Sequence, residues 1–229
     1  MRSRSRTLLA QVAAPSLRPV VSASLTLGIA VGVFAIAFGV GAVSAGGTVL
    51  QACTMSLLVF TGASQFSAVS VVDSGGSTAS ALSSAMLLAA RNGVYGLTMS
   101  RHIDGSIGRR LVAAHITLDE STAMATAQDD PHARRAAFWI TGFAGLFFWN
   151  LGTLIGALAG EAIDPETFGL DAAFPAGFVA MLAPHLRTRI GRVVAIAGAS
   201  ICLVLVPLVP IGVPILCASA AVLIGVRRP

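Results

Sequence analysis

The sequence predicts an all-α membrane protein, a polytopic bundle of seven or eight transmembrane segments, some of them broken or re-entrant. The 229 residues are 55% hydrophobic and 11% charged, which lies outside the range of soluble domains. No charged side chain occurs between Pro19 and Val72, a run long enough for two helices of about 20 residues across a hydrocarbon layer of about 30 Å. All 15 basic residues are arginines at the ends of apolar segments, so membrane topology explains the net charge of +5 better than a nucleic-acid partner does.

The chain divides into an arginine-rich N-terminus, residues 1–18, and one transmembrane domain, residues 19–229. Ser, Gly and Asp clusters separate the first apolar segments, and Pro207 and Pro210 interrupt the last two, which favours a broken or re-entrant arrangement there. The seven predicted segments are Val20–Val43, Val49–Val72, Ala79–Ser100, Ala136–Gly160, Ala172–His185, Val193–Val209 and Ile211–Val226.

The distribution of arginines predicts a cytoplasmic C-terminus, and the arginine-rich N-terminus favours the same side. Seven crossings would separate the two ends, so an eighth segment, Leu111–Gln128, is a candidate. If it crosses, Arg101, Arg109 and Arg110 lie outside. The alternative is an amphipathic helix in a loop.

The first candidate site is GASQF, Gly62 to Phe66, within the second segment. Ser64 and Gln65 can hydrogen-bond a zwitterionic solute, and Gly62 with Ala63 lets a helix open. The structural alternative is an interhelical hydrogen bond beside a small-residue contact.

The second candidate is Arg91, a lone charge in an apolar segment, followed by Asn92 and by Tyr95 four residues on. The planar guanidinium matches a carboxylate, which suits a path for amino or organic acids. The alternative is a structural ion pair of Arg91 with Asp119 or Glu120.

The third candidate is His115, Asp119 and Glu120 in the disputed eighth segment. A carboxylate kept away from water holds its proton more tightly, which proton coupling requires. In a loop helix these would be ordinary solvated residues.

Enzyme signatures are missing from the sequence, since it contains no nucleophile elbow, H-E-x-x-H helix or phosphate loop. Cys53, Cys202 and Cys217 lie in apolar segments without metal-ligand spacing. We therefore expect neither an enzyme nor a metal site nor a cofactor.

Six stretches occur in an order that resembles the AzlC family, the BrnF-like large subunits of branched-chain amino acid exporters. They are AFGVGA, FTGASQF, ARNGVYGL, HITLDES, FWNLGTLIG and GLDAAFPAGF, and the resemblance begins at Gly28 and covers nearly the whole chain. The resemblance implies a permease of the bacterial inner membrane that uses the proton motive force, and a small AzlD-type partner subunit.

By position, the resemblance assigns family signatures to Gly62–Gln65, Arg91, Tyr95–Gly96, Asp119–Glu120, Trp149–Thr153 and Gly169–Ala176. Our hypothesis is that Arg91 meets the substrate carboxylate, that Ser64, Gln65 and Asn92 add hydrogen bonds and that Phe66 receives the side chain. Asp119 or Glu120 would carry the proton. Ala89 and Asn92 depart from the family's Asn-x-Arg-His pattern, which weakens the assignment of leucine, isoleucine and valine as substrates. A passive channel and a non-transporting membrane scaffold are the alternatives.

Overall fold

The structure is a computed structural model that describes residues 17–162, 179, 182–183, 185–211 and 213–226. Every regular element in these residues is helical, as the fold class predicted. The main helices are α1 Arg18–Ser44, α2 Val49–Leu58, α3 Ala63–Asp73, α4 Thr78–Ser100, α5 Ile107–His115, α6 Asp119–Thr126, α7 Pro131–Ala162 and α8 Arg189–Leu205, followed by the short pieces α9 Val213–Ala218 and α10 Val222–Val226.

Helices α1 and α7 pack against each other in parallel along a seam of small residues. A Cβ atom added to Gly28 would meet Ala144, one added to Gly32 would meet Phe148, and one added to Gly160 would meet Val40. The contact positions rise along both helices, so the two helices run in the same direction. They are also the two described helices that are long and apolar enough to cross a membrane by themselves. Close backbone approach through glycine is how helices gain packing energy in lipid, where the hydrophobic effect between them is weak.

Helices α2 and α3 form a re-entrant pair, here called hairpin 1 (Val49–Asp73), in place of the predicted crossing Val49–Val72. The α2 helix runs antiparallel to α7, because Ser56 bonds to Thr153 and Phe60 then reaches Trp149. The chain turns at Gly62, whose φ of +63° suits glycine, and α3 heads back toward the end where α1 finishes. The return is marked by a cavity that Val69 and Val72 of α3 share with Ala42, Ala45, Gly47 and Gln51.

Helices α5 and α6 form a second re-entrant pair, hairpin 2 (Ile107–Thr126), which enters from the opposite end. Arg109 stacks over Trp139 near the start of α7, and Ile116 then packs on Gly142. The α6 helix returns, since Ala125 lies in one apolar cluster with Phe138. The predicted segment Leu111–Gln128 is therefore not one continuous helix but two short helices joined by a turn.

Helix α4 connects the two hairpins. It follows α3 through a turn at Ser74–Ser77, with Gly75 at a φ of +78°, and its far end places Met99 beside Phe138. Hairpin 1 and hairpin 2 thus enter the bundle from opposite ends.

The arginines expected outside by an eighth crossing lie instead at the end of the bundle where α7 begins. Arg135 donates to the carbonyl of His102 at 3.0 Å and to Asp104 at 2.9 Å, which holds the 101–106 loop beside the start of α7. We call this end the arginine end. Arg18, Arg101, Arg109, Arg110 and Arg134 lie at or near helix ends on this side together with Arg135.

The C-terminal pieces form an antiparallel pair in which Gly198 faces Ala218 and Gly225 faces Val194. Helix α8 ends at Leu205, before Pro207 and Pro210, so the break predicted at these prolines is confirmed. Ile211 approaches Gly76, at the end opposite the arginines. Most of the predicted segment Ala172–His185, with Pro175 and the GLDAAFPA stretch, lies outside the described residues.

Candidate functional site

The tips of the two hairpins meet near the middle of the bundle. The Phe60 ring of hairpin 1 lies 6.1 Å from the His115 ring of hairpin 2. Trp149 of α7 lies 6.5 Å from Phe60 and 6.1 Å from Phe66, and it stacks on Phe38 at 6.0 Å. Leu118 belongs to the same buried cluster. An aromatic layer therefore joins the two tips to the α1/α7 pair.

Gln65 holds the tip of hairpin 1. Its side chain is 0% exposed, and its Oε1 accepts hydrogen bonds from the Gly62 N–H at 3.1 Å and the Thr61 N–H at 3.4 Å. Its Nε2 donates to the Met55 carbonyl at 3.1 Å, across the break from α3 to α2. The predicted opening of the helix at Gly62 and Ala63 is confirmed, and the Gln65 amide is engaged in keeping it open.

Ser64 and Phe66 complete this tip. The Ser64 hydroxyl shares a short hydrogen bond with Thr61, whose hydroxyl also reaches the Val59 carbonyl at 2.8 Å. The Phe66 ring is buried and meets Phe38 edge to face. In the structure Ser64 stabilises the turn and Phe66 anchors α3 to α1.

Ser121 holds the tip of hairpin 2 by hydrogen bonds to the backbone, as Gln65 holds the tip of hairpin 1. Its hydroxyl accepts from the Leu118 N–H at 2.9 Å and reaches the Ile116 carbonyl at 2.8 Å. Both residues are the third of their helix, where a side chain can reach back to the residue before the helix. Neither Ser121 nor Phe60 was among the predicted site residues. For Ser121 the sequence held a signal, because it and Gln65 each follow a possible helix start by three residues.

An ion pair links α4 to hairpin 2. Arg91 Nη1 lies 3.2 Å from Asp119 Oδ2, with 35% and 40% of the two side chains exposed. Asp119 is the first residue of α6, where the helix dipole favours a negative charge. This is the pairing that the sequence offered as the structural alternative for Arg91.

Glu120 stays close to this pair, because its carboxyl group is hydrogen-bonded to that of Asp119 and lies within electrostatic range of Arg91. It is half-buried and also lines a small void with Gly28, Thr141 and Gly142 of the α1/α7 pair. Within the described part of the chain it forms no ion pair of its own. It is therefore a carboxyl group between its neighbour Asp119 and a glycine-lined void.

Asn92 and Tyr95 follow Arg91 on α4, and both are half-buried. The Asn92 Oδ1 atom is buried and finds no donor among the described residues. One turn further, Gly96 and Met99 line a cavity with Ala114 and Thr117 of hairpin 2 that opens toward the arginine end. The described residues hold no cluster of three His, Cys, Asp or Glu side chains that suits a metal ion.

Comparisons with known proteins agree with the membrane architecture. The family model described as "AzlC protein" matches residues 26–163, more than half of the chain. An "Inner membrane protein YgaZ" of Escherichia coli is 29% identical over 164 residues, which cover 68% of this chain and 67% of that protein. An "Uncharacterized membrane protein" of Haemophilus influenzae is 28% identical over 172 residues, 73% of this chain and 67% of the relative. No solved structure matches the chain.

Proposed function

The chain belongs to the AzlC family of membrane proteins, and we propose that it is the large subunit of a secondary transporter that exports branched-chain or related hydrophobic amino acids. The family supports a role in membrane transport and not in enzymatic catalysis. The substrate, the coupling to protons and a small AzlD-type partner are parts of the proposal.

One observation carries the proposal: two hairpins enter from opposite ends, their tips meet at an aromatic layer, and an ion pair beside that layer links α4 to hairpin 2. Irregular backbone at membrane depth is tolerated where it is buried in protein or lines a watery cavity, and discontinuous helices form the substrate sites of many carriers. One cavity reaches hairpin 1 from the end where Asp73 lies, and another reaches hairpin 2 from the arginine end. A path interrupted by the touching tips fits a carrier better than an open channel.

The site residues then divide by chemistry. Arg91 receives the substrate carboxylate, helped by Asn92 and Tyr95, whose half-buried polar groups follow it on α4. Ser64 and Gln65 act by shaping the tip of hairpin 1.

The apolar side chain of the substrate meets Phe66 with Phe60 and Trp149. Of the acidic pair, Glu120 is the stronger candidate for the coupling proton because Asp119 is held by Arg91. His115, at the touching tips, is positioned to pass that proton on.

We further propose that the arginine end faces the cytoplasm of a bacterial inner membrane, with both chain ends on that side. Hairpins add no crossing, so the arginines at positions 101, 109 and 110 obey the positive-inside rule together with those at 134 and 135. The lipid bilayer, the amino acid, protons and a small membrane subunit are the proposed partners, and nucleic acid is not one of them.

Efflux of preloaded leucine from proteoliposomes, with and without a pH gradient and with and without the small partner, tests the proposal. We expect efflux that an inward proton gradient accelerates and that Arg91→Ala abolishes while the variant still inserts. Flux that ignores the gradient would indicate a passive channel. No amino acid flux even with the partner present would indicate a scaffold.

A further inference from the structure

We propose that the Arg91–Asp119 ion pair is itself the amino acid site in its empty form, and that a zwitterionic substrate binds by inserting between the two side chains. The substrate carboxylate takes the place of Asp119 on the guanidinium, and the substrate ammonium takes the place of Arg91 on the aspartate. This inference rests on the proposed function and names the chemical class that the same site accepts: an α-amino acid with both charges free.

The contact has the geometry of a pair that can be separated. A single guanidinium nitrogen meets a single carboxylate oxygen at 3.2 Å, and about a third of each side chain is exposed. A bidentate pair would use two nitrogens and two oxygens, with more energy and a more fixed geometry. The Asp119 carboxyl group also shares a hydrogen bond with Glu120, so the ion pair is one of two contacts that this carboxyl group makes.

The two partners also lie on helices, α4 and α6, that share few other contacts, while Met99 of α4 packs against hairpin 2 nearer the arginine end. Arg91 belongs to the full-length helix α4, whereas Asp119 begins the returning arm of hairpin 2. Separation of the two groups by the width of a small molecule therefore needs a displacement of one hairpin tip, and no helix has to unfold.

Charge balance favours a zwitterion over other solutes. When the site is empty, each charge neutralises the other, which limits the cost of keeping ions at membrane depth. A zwitterion restores one favourable contact at each charge, while a plain carboxylate would leave Asp119 unpaired and a plain amine would leave Arg91 unpaired.

The surroundings fit an apolar side chain. Leu118, which directly precedes Asp119, lies in the buried cluster of Phe60, Phe66 and Trp149. A substrate held at its α-carbon between Arg91 and Asp119 therefore has an aromatic layer next to it, into which an aliphatic side chain can be buried.

The test is binding of radiolabelled leucine to the purified full-length chain, with unlabelled competitors. The competitors are leucine, 3-methylbutylamine, 4-methylpentanoate and 2-hydroxy-4-methylpentanoate. For the wild-type chain we expect leucine to compete at least about tenfold better than each analogue that lacks one charge, which corresponds to about 1.4 kcal/mol.

Two variants then separate insertion from a purely structural pair. Asp119→Asn keeps the shape but cannot hold an ammonium ion, so we expect leucine to lose its advantage over the 2-hydroxy acid, whose hydroxyl an amide can still bind. Arg91→Gln should weaken binding of both compounds. Asp104→Asn, which breaks the exposed Arg135–Asp104 pair at the arginine end, is the matched control and should leave the preference unchanged.

The double variant Arg91→Met with Asp119→Leu addresses folding, because replacing a structural ion pair by apolar residues is often neutral. Retained leucine binding in this variant, or an unchanged leucine preference in Asp119→Asn, would overturn the insertion proposal. A folded wild-type chain that binds no amino acid even with the small partner present would instead refute the proposed function, and the inference with it.

Discussion

Replacement of Gln65 by alanine should destabilise the tip of hairpin 1. The side chain is fully buried and makes three hydrogen bonds, of which those to Gly62 and Met55 are 3.1 Å long and that to Thr61 is 3.4 Å long. Each good bond contributes about 1 kcal/mol net, and a buried partner left unsatisfied costs about 1–3 kcal/mol. With two good bonds and one weak one, the free energy of unfolding should fall by about 2–5 kcal/mol. Thermal unfolding of the detergent-purified chain measures this loss.

Gln51→Ala is the matched control, because Gln51 makes the same kind of contact at the start of α2, in an exposed position. Its Oε1 accepts from the Thr48 N–H at 2.8 Å, where water can replace the lost partner. We expect a loss of about 1 kcal/mol or less. Equal losses in the two variants would refute the reasoning that Gln65 stabilises a buried break, and normal leucine flux in a stable Gln65→Ala variant would separate the tip from transport.

Three further predictions concern the seam, the proton and the topology. Gly156→Ala places a methyl group against the Ile36 carbonyl and should lower the unfolding temperature, whereas Gly93→Ala, with open space around the added atom, should be neutral or slightly stabilising. Glu120→Gln should remove the acceleration of leucine efflux by a pH gradient and leave leucine exchange intact; a gradient response that persists in this variant would assign the proton elsewhere. In a cysteine-free background, Ser106→Cys and Asp129→Cys should react with an impermeant thiol reagent from the same side of the membrane, and labelling from opposite sides would mean that hairpin 2 crosses.

The all-α fold and the position of the first break could be predicted from the sequence, because apolar length and the Gly-Ala-Ser-Gln turn signal report directly on helices and their interruption. The re-entrance of Val49–Val72 could not. Two arms of 10 and 11 residues have the same combined length and hydropathy as one crossing, and only contacts to α1 and α7 reveal that the second arm turns back.

The parity argument for Leu111–Gln128 could not anticipate a hairpin for a related reason. It counted crossings, and a hairpin adds an apolar segment without adding a crossing. The site could be predicted in part from the sequence, because Arg91 and the Asp119–Glu120 pair stand out as charges close to apolar segments. Spacing along the chain did not decide which carboxylate meets Arg91, since that depends on how the tip of hairpin 2 turns between Ile116 and Asp119.

The two hairpins differ in how they are held, and this difference bears on how a carrier of this design would move. Hairpin 1 is continuous with α4 through a short turn and is anchored by the Phe66 and Phe38 rings. Hairpin 2 contacts α4 through the Arg91–Asp119 pair at its tip and through an apolar cluster that joins Met99 to Ala113 and Ile116. If a substrate inserts into that pair, its binding breaks the polar contact between the tip of hairpin 2 and α4, which loosens the tip. Hairpin 1 would then be the part of the closed path that stays in place during transport. A cross-link between Thr61 and α4 should therefore leave amino acid flux intact, whereas a cross-link between Leu118 and α4 should stop it.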